Sequence, residues 1–275
     1  MKVTVYEVGP RDGLQYLEHI IDTDDKKNLI NALYRAGIEN IEEVSFAHPK
    51  RLPQMADAEK VFTGFGAGLV MNRRGYDRAV KTGVEKINIV FSPCETFNVN
   101  NMGKTRQEIV LMYKTFMDKV PKENVRVYIS MAFGSPHSGI VKPQTMLSCL
   151  RDAKMFGNTV VLSDTVGVAS HQEIALWAEM ALDEGLVPAL HLHHKGDESR
   201  AVSLVRSGLL NGIKEFDSSI NGLGGCPFAE GSGANLSTQT LVRHLNAWGF
   251  DCGIQESDLA DAARIARALT NVLLS

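Results

Sequence analysis

Met1-Lys2-Val3-Thr4-Val5-Tyr6-Glu7-Val8-Gly9-Pro10-Arg11-Asp12-Gly13 opens the chain with an alternating, β-branched run that stops at a turn carrying an Arg-Asp pair. A β-strand over residues 3–9 accounts for the alternation, because successive strand side chains point to opposite faces. The turn after this strand separates two folds that both alternate strands with helices. A doubly wound open sheet is marked by a GxGxxG turn after its first strand; here that place holds Gly9-Pro10-Arg11-Asp12-Gly13. Seven more apolar, β-branched runs come later, at about 38–46, 66–71, 86–92, 125–133, 159–165, 188–194 and 215–220. Amphipathic segments fill the gaps. Over 23–36, Leu29, Ile30, Leu33 and Tyr34 share a face, with Thr23 as N-cap and Gly37 as stop. Ser170 and Glu173 form a capping box before Ile174, Trp177, Ala178 and Ala181, and Gly185 ends that helix. Residues 256–274 read as one extra amphipathic helix. Eight strand–helix alternations in 275 residues predict an α/β chain forming a (β/α)8 TIM barrel with an additional C-terminal helix, residues 1–275 making one domain.

Composition narrows the function. Lys+Arg at 29 against Asp+Glu at 32 leaves a net charge of −3, so the chain has no electrostatic footprint for nucleic acid and no polybasic segment for a membrane. The apolar runs fall far short of the roughly 20 residues a bilayer crossing needs. The N-terminus lacks the apolar core of a signal peptide. Cys94, Cys149, Cys226 and Cys252 are widely spaced, without a CxxC pair. That pattern predicts reduced thiols and a cytoplasmic location.

A TIM barrel carries its chemistry at the C-terminal ends of its strands, and the unusual polar residues fall there. His191 and His193 close strand seven with one residue between them, so both imidazoles share a face while Leu190 and Leu192 take the other. They are either half of a metal site or two unconnected strand-end histidines; His194 breaks the alternation and should face away. Arg11-Asp12 closes strand one as a plain ion pair, or as one carboxylate for a cation and one guanidinium for an oxyanion. Gly222, Gly224 and Gly225 precede Cys226 on a loop able to approach a ligand closely. Glu7, Glu42 and Asp164 interrupt apolar runs and need partners when buried, structural ion pairs explaining them as well as catalysis does.

These segments together resemble the 3-hydroxy-3-methylglutaryl-CoA lyase family of metal-dependent barrel lyases and Claisen-type synthases. Glu7-Val8-Gly9-Pro10-Arg11-Asp12-Gly13-Leu14-Gln15 is similar to its first-strand motif, and the run from Ser45 through Asp57 to its second-strand signature. Asn72-Arg73-Arg74-Gly75 and Ser163-Asp164-Thr165-Val166-Gly167 also fit. Gly222-Leu223-Gly224-Gly225-Cys226-Pro227-Phe228-Ala229, then Gly233-Ala234-Asn235-Leu236, resembles the cysteine loop of the lyase branch. The resemblance implies a divalent cation, Mg²⁺ or Mn²⁺, on Asp12, His191, His193 and Asn235. It implies retro-Claisen cleavage of 3-hydroxy-3-methylglutaryl-CoA, or a close 3-hydroxyacyl-CoA, to acetyl-CoA and acetoacetate, or a related keto acid. Arg11 would stabilise the enolate, Cys226 and His191 would carry proton traffic, and Glu42 would support the metal site. Gln15, Lys50, Asn72 and Thr165 fall on substrate-binding positions, and a homodimer is the family expectation.

Two stretches depart from the family pattern. After Gln15 comes Tyr16-Leu17-Glu18, where Asn-Glu-Lys is usual; after His193 comes His194-Lys195-Gly196-Asp197-Glu198, where Asp-Thr-Tyr-Gly-Gln is usual. Either the standard substrate binds in a re-lined pocket or a related 3-hydroxyacyl-CoA does. The rivals are a citramalyl-CoA-type lyase, an acetyl-CoA-dependent 2-oxo acid synthase, an aldolase acting on 4-hydroxy-2-oxo acids and, from a different class, a non-catalytic metal- or CoA-binding protein.

Overall fold

The computed structural model describes residues 1–224 and 233–270. Eight parallel strands, β1 (Thr4–Glu7), β2 (Asn40–Ser45), β3 (Ala67–Leu69), β4 (Lys86–Phe91), β5 (Val125–Ile129), β6 (Thr159–Asp164), β7 (Val187–His194) and β8 (Glu215–Ser218), pair in chain order. β8 pairs with both β7 and β1, which closes the barrel and excludes the open sheet. Each strand lies inside its predicted run or within a residue of it. The runs overshoot where the chain leaves the ladder: residues 9–13, beyond β1, wind into a π-helical turn instead.

The helices are α1 (Thr23–Arg35), α2 (Ala58–Val61), α3 (Arg73–Thr82), α4 (Glu95–Met102), α5 (Arg106–Lys114), α6 (Pro143–Lys154), α7 (His171–Asp183), α8 (Glu198–Leu210), α9 (Thr238–Ala247) and α10 (Ala260–Thr270). Their apolar stripes pack on the outward strand residues in one continuous core, for example Leu29 and Leu33 of α1, Ile41 of β2 and Trp177 of α7. The capping box on α7 forms with both of its reciprocal bonds. Thr23 does not cap α1: Asp22 holds that place, and Thr23 Oγ1 donates to Asp57 Oδ2 at 2.6 Å, because Asp57 is drawn there by the buried Lys26 ammonium. The C-terminal helix is split into a 3₁₀ turn (Glu256–Leu259) and α10. A short strand the sequence did not suggest, β9 (Ala234–Asn235), runs antiparallel to β7 with Asn235 opposite His193. Among the described residues no helix is long and apolar enough to cross a membrane.

Of the three strand acids that the sequence singled out, Glu7, Glu42 and Asp164, only Glu42 finds a cation among the described residues, Arg11. Asp164 accepts the backbone N–H groups of Val168 and Ala169 at 2.7 and 3.0 Å. Glu7 accepts from the N–H groups of Gly9 (2.8 Å) and Ile220 (2.9 Å) and from Thr238 Oγ1 (2.6 Å). Burial pushes the Glu7 carboxyl up to about 7 against the pull of these three donors. A folded-state value above the unfolded one means stability that is present at low pH and lost as pH rises through the folded value. Between pH 5 and pH 8 the protein is therefore expected to lose about 2.5 kcal/mol through Glu7 alone. Glu7→Gln, which mimics the neutral acid, removes this loss. Urea unfolding of both proteins at the two pH values checks it; a difference between them that does not change with pH would sink the idea.

Candidate active site

The C-terminal mouth of the barrel holds a cavity of about 290 Å³. Its wall includes Arg11, Asp12 and Gln15 beyond β1, Asn72 beyond β3, Ser163 and Thr165 from β6 and the turn after it, and His191 and His193 of β7. The alternation of β7 brings both imidazoles inward, with their Nε2 atoms 2.9 Å apart. Asp12, His191 and His193 are buried, and one ligand atom of each lies within 4.8 Å of the others. Asn235 joins them from β9, its amide nitrogen donating to Asp12 Oδ2 at 2.8 Å. His194 stands outside this group, as its place in the alternation requires.

The group fits a divalent cation. Neighbouring ligands of an octahedral ion bound at about 2.1 Å sit about 3 Å apart, which matches the Nε2 separation. The donors are two imidazoles and a carboxylate with no thiolate, a set suited to Mg²⁺ or Mn²⁺. Burial and the neighbouring His191 push the His193 imidazole down to about 3, so it is neutral, as a ligand must be. Burial would raise the Asp12 carboxyl, but the Arg11 guanidinium, then His191 and the Asn235 hydrogen bond, outweigh it and hold it below the usual carboxylate range.

Arg11 lies beside this group. Its Nη1 donates to Asp12 Oδ1 at 2.7 Å, while Nε and Nη2 both go to Glu42 Oε2. Asn88 Nδ2 takes the other Glu42 oxygen at 2.7 Å. Burial acts to lower Arg11, yet Glu42 and Asp12 outweigh it and hold the guanidinium charged. The guanidinium is thus fixed on two sides before any ligand arrives.

The remaining predicted residues separate into groups. Gln15 Nε2 donates to Asp12 Oδ1 at 2.9 Å. Asn72 lines the cavity but spends Oδ1 capping α3 through Gly75 N–H. Thr165 lines it and accepts the N–H of Met131, whose φ of +57° is a left-handed conformation rare for a side chain of this kind. Lys50 is exposed and does not line the cavity; His48, Arg51 and Lys104 do. Arg73 pairs with Asp77 on the surface. Tyr16 is 53% exposed, and neither it nor Leu17 is on the wall. Cys226 lies outside the described residues. Its loop begins close to the site: Gly224, at φ +119°, leaves so little room that a Cβ would sit 2.4 Å from the Asn235 amide nitrogen. Sequence reasoning misses Ser163, whose Oγ is buried on the cavity wall with no partner among the described residues. Its signal was available, as a hydroxyl next to Asp164 at the C-terminal end of a strand.

The family model described as HMGL-like matches residues 2–266. The chain belongs to the HMGL-like family. It is 34% identical to a hydroxymethylglutaryl-CoA lyase of Bacillus subtilis over 96% of this chain and 91% of the relative. A crystal structure of the HMG-CoA lyase of Brucella melitensis superposes with a TM-score of 0.90 at 31% identity, covering 98% of this chain and 99% of that one. The HMG-CoA lyase of Acinetobacter baumannii in complex with coenzyme A and 3-methylmalate superposes at 0.89, with 29% identity and coverage of 98% and 92%. Within the HMGL-like family, then, this chain places the Asp12–His191–His193 group at the C-terminal mouth of the barrel.

Proposed function

We propose that this chain is a carbon–carbon lyase that cleaves 3-hydroxy-3-methylglutaryl-CoA to acetyl-CoA and acetoacetate, with residues 1–275 acting as one catalytic domain. The observation that carries this is the convergence of Asp12, His191 and His193 beside a pre-paired Arg11 in one cavity. The likeness to named HMG-CoA lyases over almost the whole chain gives it the substrate. The complex of the Acinetobacter baumannii relative supports an acyl-CoA ligand.

Asp12, His191, His193 and Asn235 would hold Mg²⁺ or Mn²⁺. When bound, that ion supplies Lewis acidity, which lowers the cost of removing the proton from the substrate's 3-hydroxyl. Loss of that proton lets the C2–C3 bond break, its electron pair passing to the thioester as an enolate. Arg11 stabilises the enolate oxygen with a charge already in place. Carbon C2 then takes a proton, with Cys226 as the donor; His191, held as a ligand, acts through the cation. Glu42 holds the Arg11 guanidinium, and Gln15 and Asn235 orient the Asp12 carboxylate. Thr165, Asn72 and the unpartnered Ser163 hydroxyl face the substrate. Arg51 and Lys104 supply positive charge on the wall for the CoA phosphates, with His48 beside them and Lys50 nearby in sequence. A homodimer and a cytoplasmic location belong to the same reading.

The standard substrate is favoured because Tyr16 and Leu17, which depart from the family pattern, do not line the cavity. Release of acetyl-CoA from 3-hydroxy-3-methylglutaryl-CoA in the presence of Mn²⁺ or Mg²⁺ is expected, and should exceed release from citramalyl-CoA. No release from either, with acetyl-CoA consumed once 2-oxo acids are added, would replace the lyase by a synthase.

A further inference from the structure

The parallel register of β7 and β8 sets Asp217 beside His191. Asp217 Oδ2 lies 3.2 Å from His191 Nδ1. The other carboxylate oxygen is taken: Arg126, reaching across the barrel interior from β5, donates from Nη2 to Oδ1 at 2.6 Å. Arg126 is itself clamped. Its guanidinium carbon is 3.8 Å from the centroid of the Tyr6 ring, and it pairs with Glu215 as well. The Tyr128 ring stands edge-on to His191, with 6.2 Å between centroids. Arg126, Asp217, Tyr6, Tyr128 and His191 are all buried.

An imidazole offers a lone pair from one nitrogen only when its proton sits on the other. His191 Nε2 faces His193 and belongs to the group with Asp12, so the proton must be held on Nδ1. We propose that Arg126 and Asp217 are positioning residues that fix this tautomer of His191. Arg126 has only donors and claims one oxygen of Asp217. Asp217 therefore presents an acceptor, and nothing else, to Nδ1. The inference rests on the reading of His191 as a metal ligand.

A purely structural ion pair makes a different prediction, and Asp217→Asn separates the two. In that variant Arg126 still demands an oxygen, so the amide nitrogen is turned toward His191. Nδ1 must then accept, and the imidazole proton moves to Nε2, inside the ligand group. Asp217→Ala gives Nδ1 no partner at all, which is less harmful than the wrong one. Adding Arg126→Met to Asp217→Asn frees the amide to rotate and offer its oxygen to Nδ1.

The test is titration of Mn²⁺ into the purified full chain and these variants, with free Mn²⁺ read by electron paramagnetic resonance. Metal-free thermal unfolding checks that each variant folds. The tautomer of His191 is read directly, from ¹⁵N shifts of imidazole-labelled metal-free protein. Asp217→Asn is expected to weaken Mn²⁺ binding by about 10–100-fold, more than Asp217→Ala does, with partial recovery in the double variant. Wild-type His191 should carry its proton on Nδ1 and the Asp217→Asn protein on Nε2. Asp217→Asn binding Mn²⁺ within threefold of wild type, or wild-type His191 protonated on Nε2 alone, overturns the proposal. A wild-type chain that binds no Mn²⁺ overturns the metal reading beneath it, so the two failures are distinguishable.

Discussion

Arg11→Met is expected to lower kcat by at least about 10²–10³-fold, the range seen when a pre-placed oxyanion donor is removed. It should also destabilise the protein by about 3–5 kcal/mol, because it breaks a buried pair and strands Glu42. The Arg11 side chain is only 8% exposed and that of Glu42 is fully buried. Loss of activity alone would therefore be ambiguous. The double variant Arg11→Met/Glu42→Gln resolves it. Glutamine keeps the shape without the charge, so much of the stability should return while activity stays lost. Chemical denaturation and steady-state kinetics on wild type and both variants give the two readouts. Activity returning together with stability would mean that Arg11 only holds the barrel mouth in shape.

Chelation should have a comparably large effect. Treatment with EDTA is expected to bring acetyl-CoA release to background, and Mn²⁺ or Mg²⁺ to restore it. A ligand that binds only the folded chain stabilises it by about 2.7 kcal/mol at a hundred times its dissociation constant. For a chain of this size that raises the melting temperature by about 5 °C. His193→Ala should abolish both the restored activity and the shift. A shift that persists in His193→Ala would place the stabilising ion elsewhere. Turnover that survives exhaustive chelation would remove the ion from the reaction.

The barrel was legible because its elements are written locally. Alternation in the strands, the Ser170–Glu173 box and the glycine stops each depend on residues close together in the chain. The pairing of His191 with His193 was legible for the same reason, since a strand repeats every two residues. The partners of those residues were not. Asp217 and Arg126 are 91 positions apart and meet only because the barrel brings β5 across from β8. Glu7 looked like half of an ion pair, yet it is held by two backbone N–H groups and a hydroxyl, and no side-chain pattern announces a backbone donor. Thr23 has the residue type of a cap, but the pull of Asp57 decided its place. The absence of Lys50 from the cavity wall depends on how the segment after β2 turns, and composition does not fix that.

Asp12 and Asn235 are bonded across 223 positions of sequence, and His191 and His193 join them from the same late part of the chain. The proposed ligand group therefore straddles the seam where the last strands meet the first. A chain interrupted anywhere before Asn235 lacks a member of it, however many strands have already paired. Contacts this distant carry the largest loop-closure cost, so ion binding cannot guide the early stages of assembly. On the proposed ligand set, binding would instead mark completion: a chain that held its cation would have closed its ring, and partly made or truncated copies would lack the site.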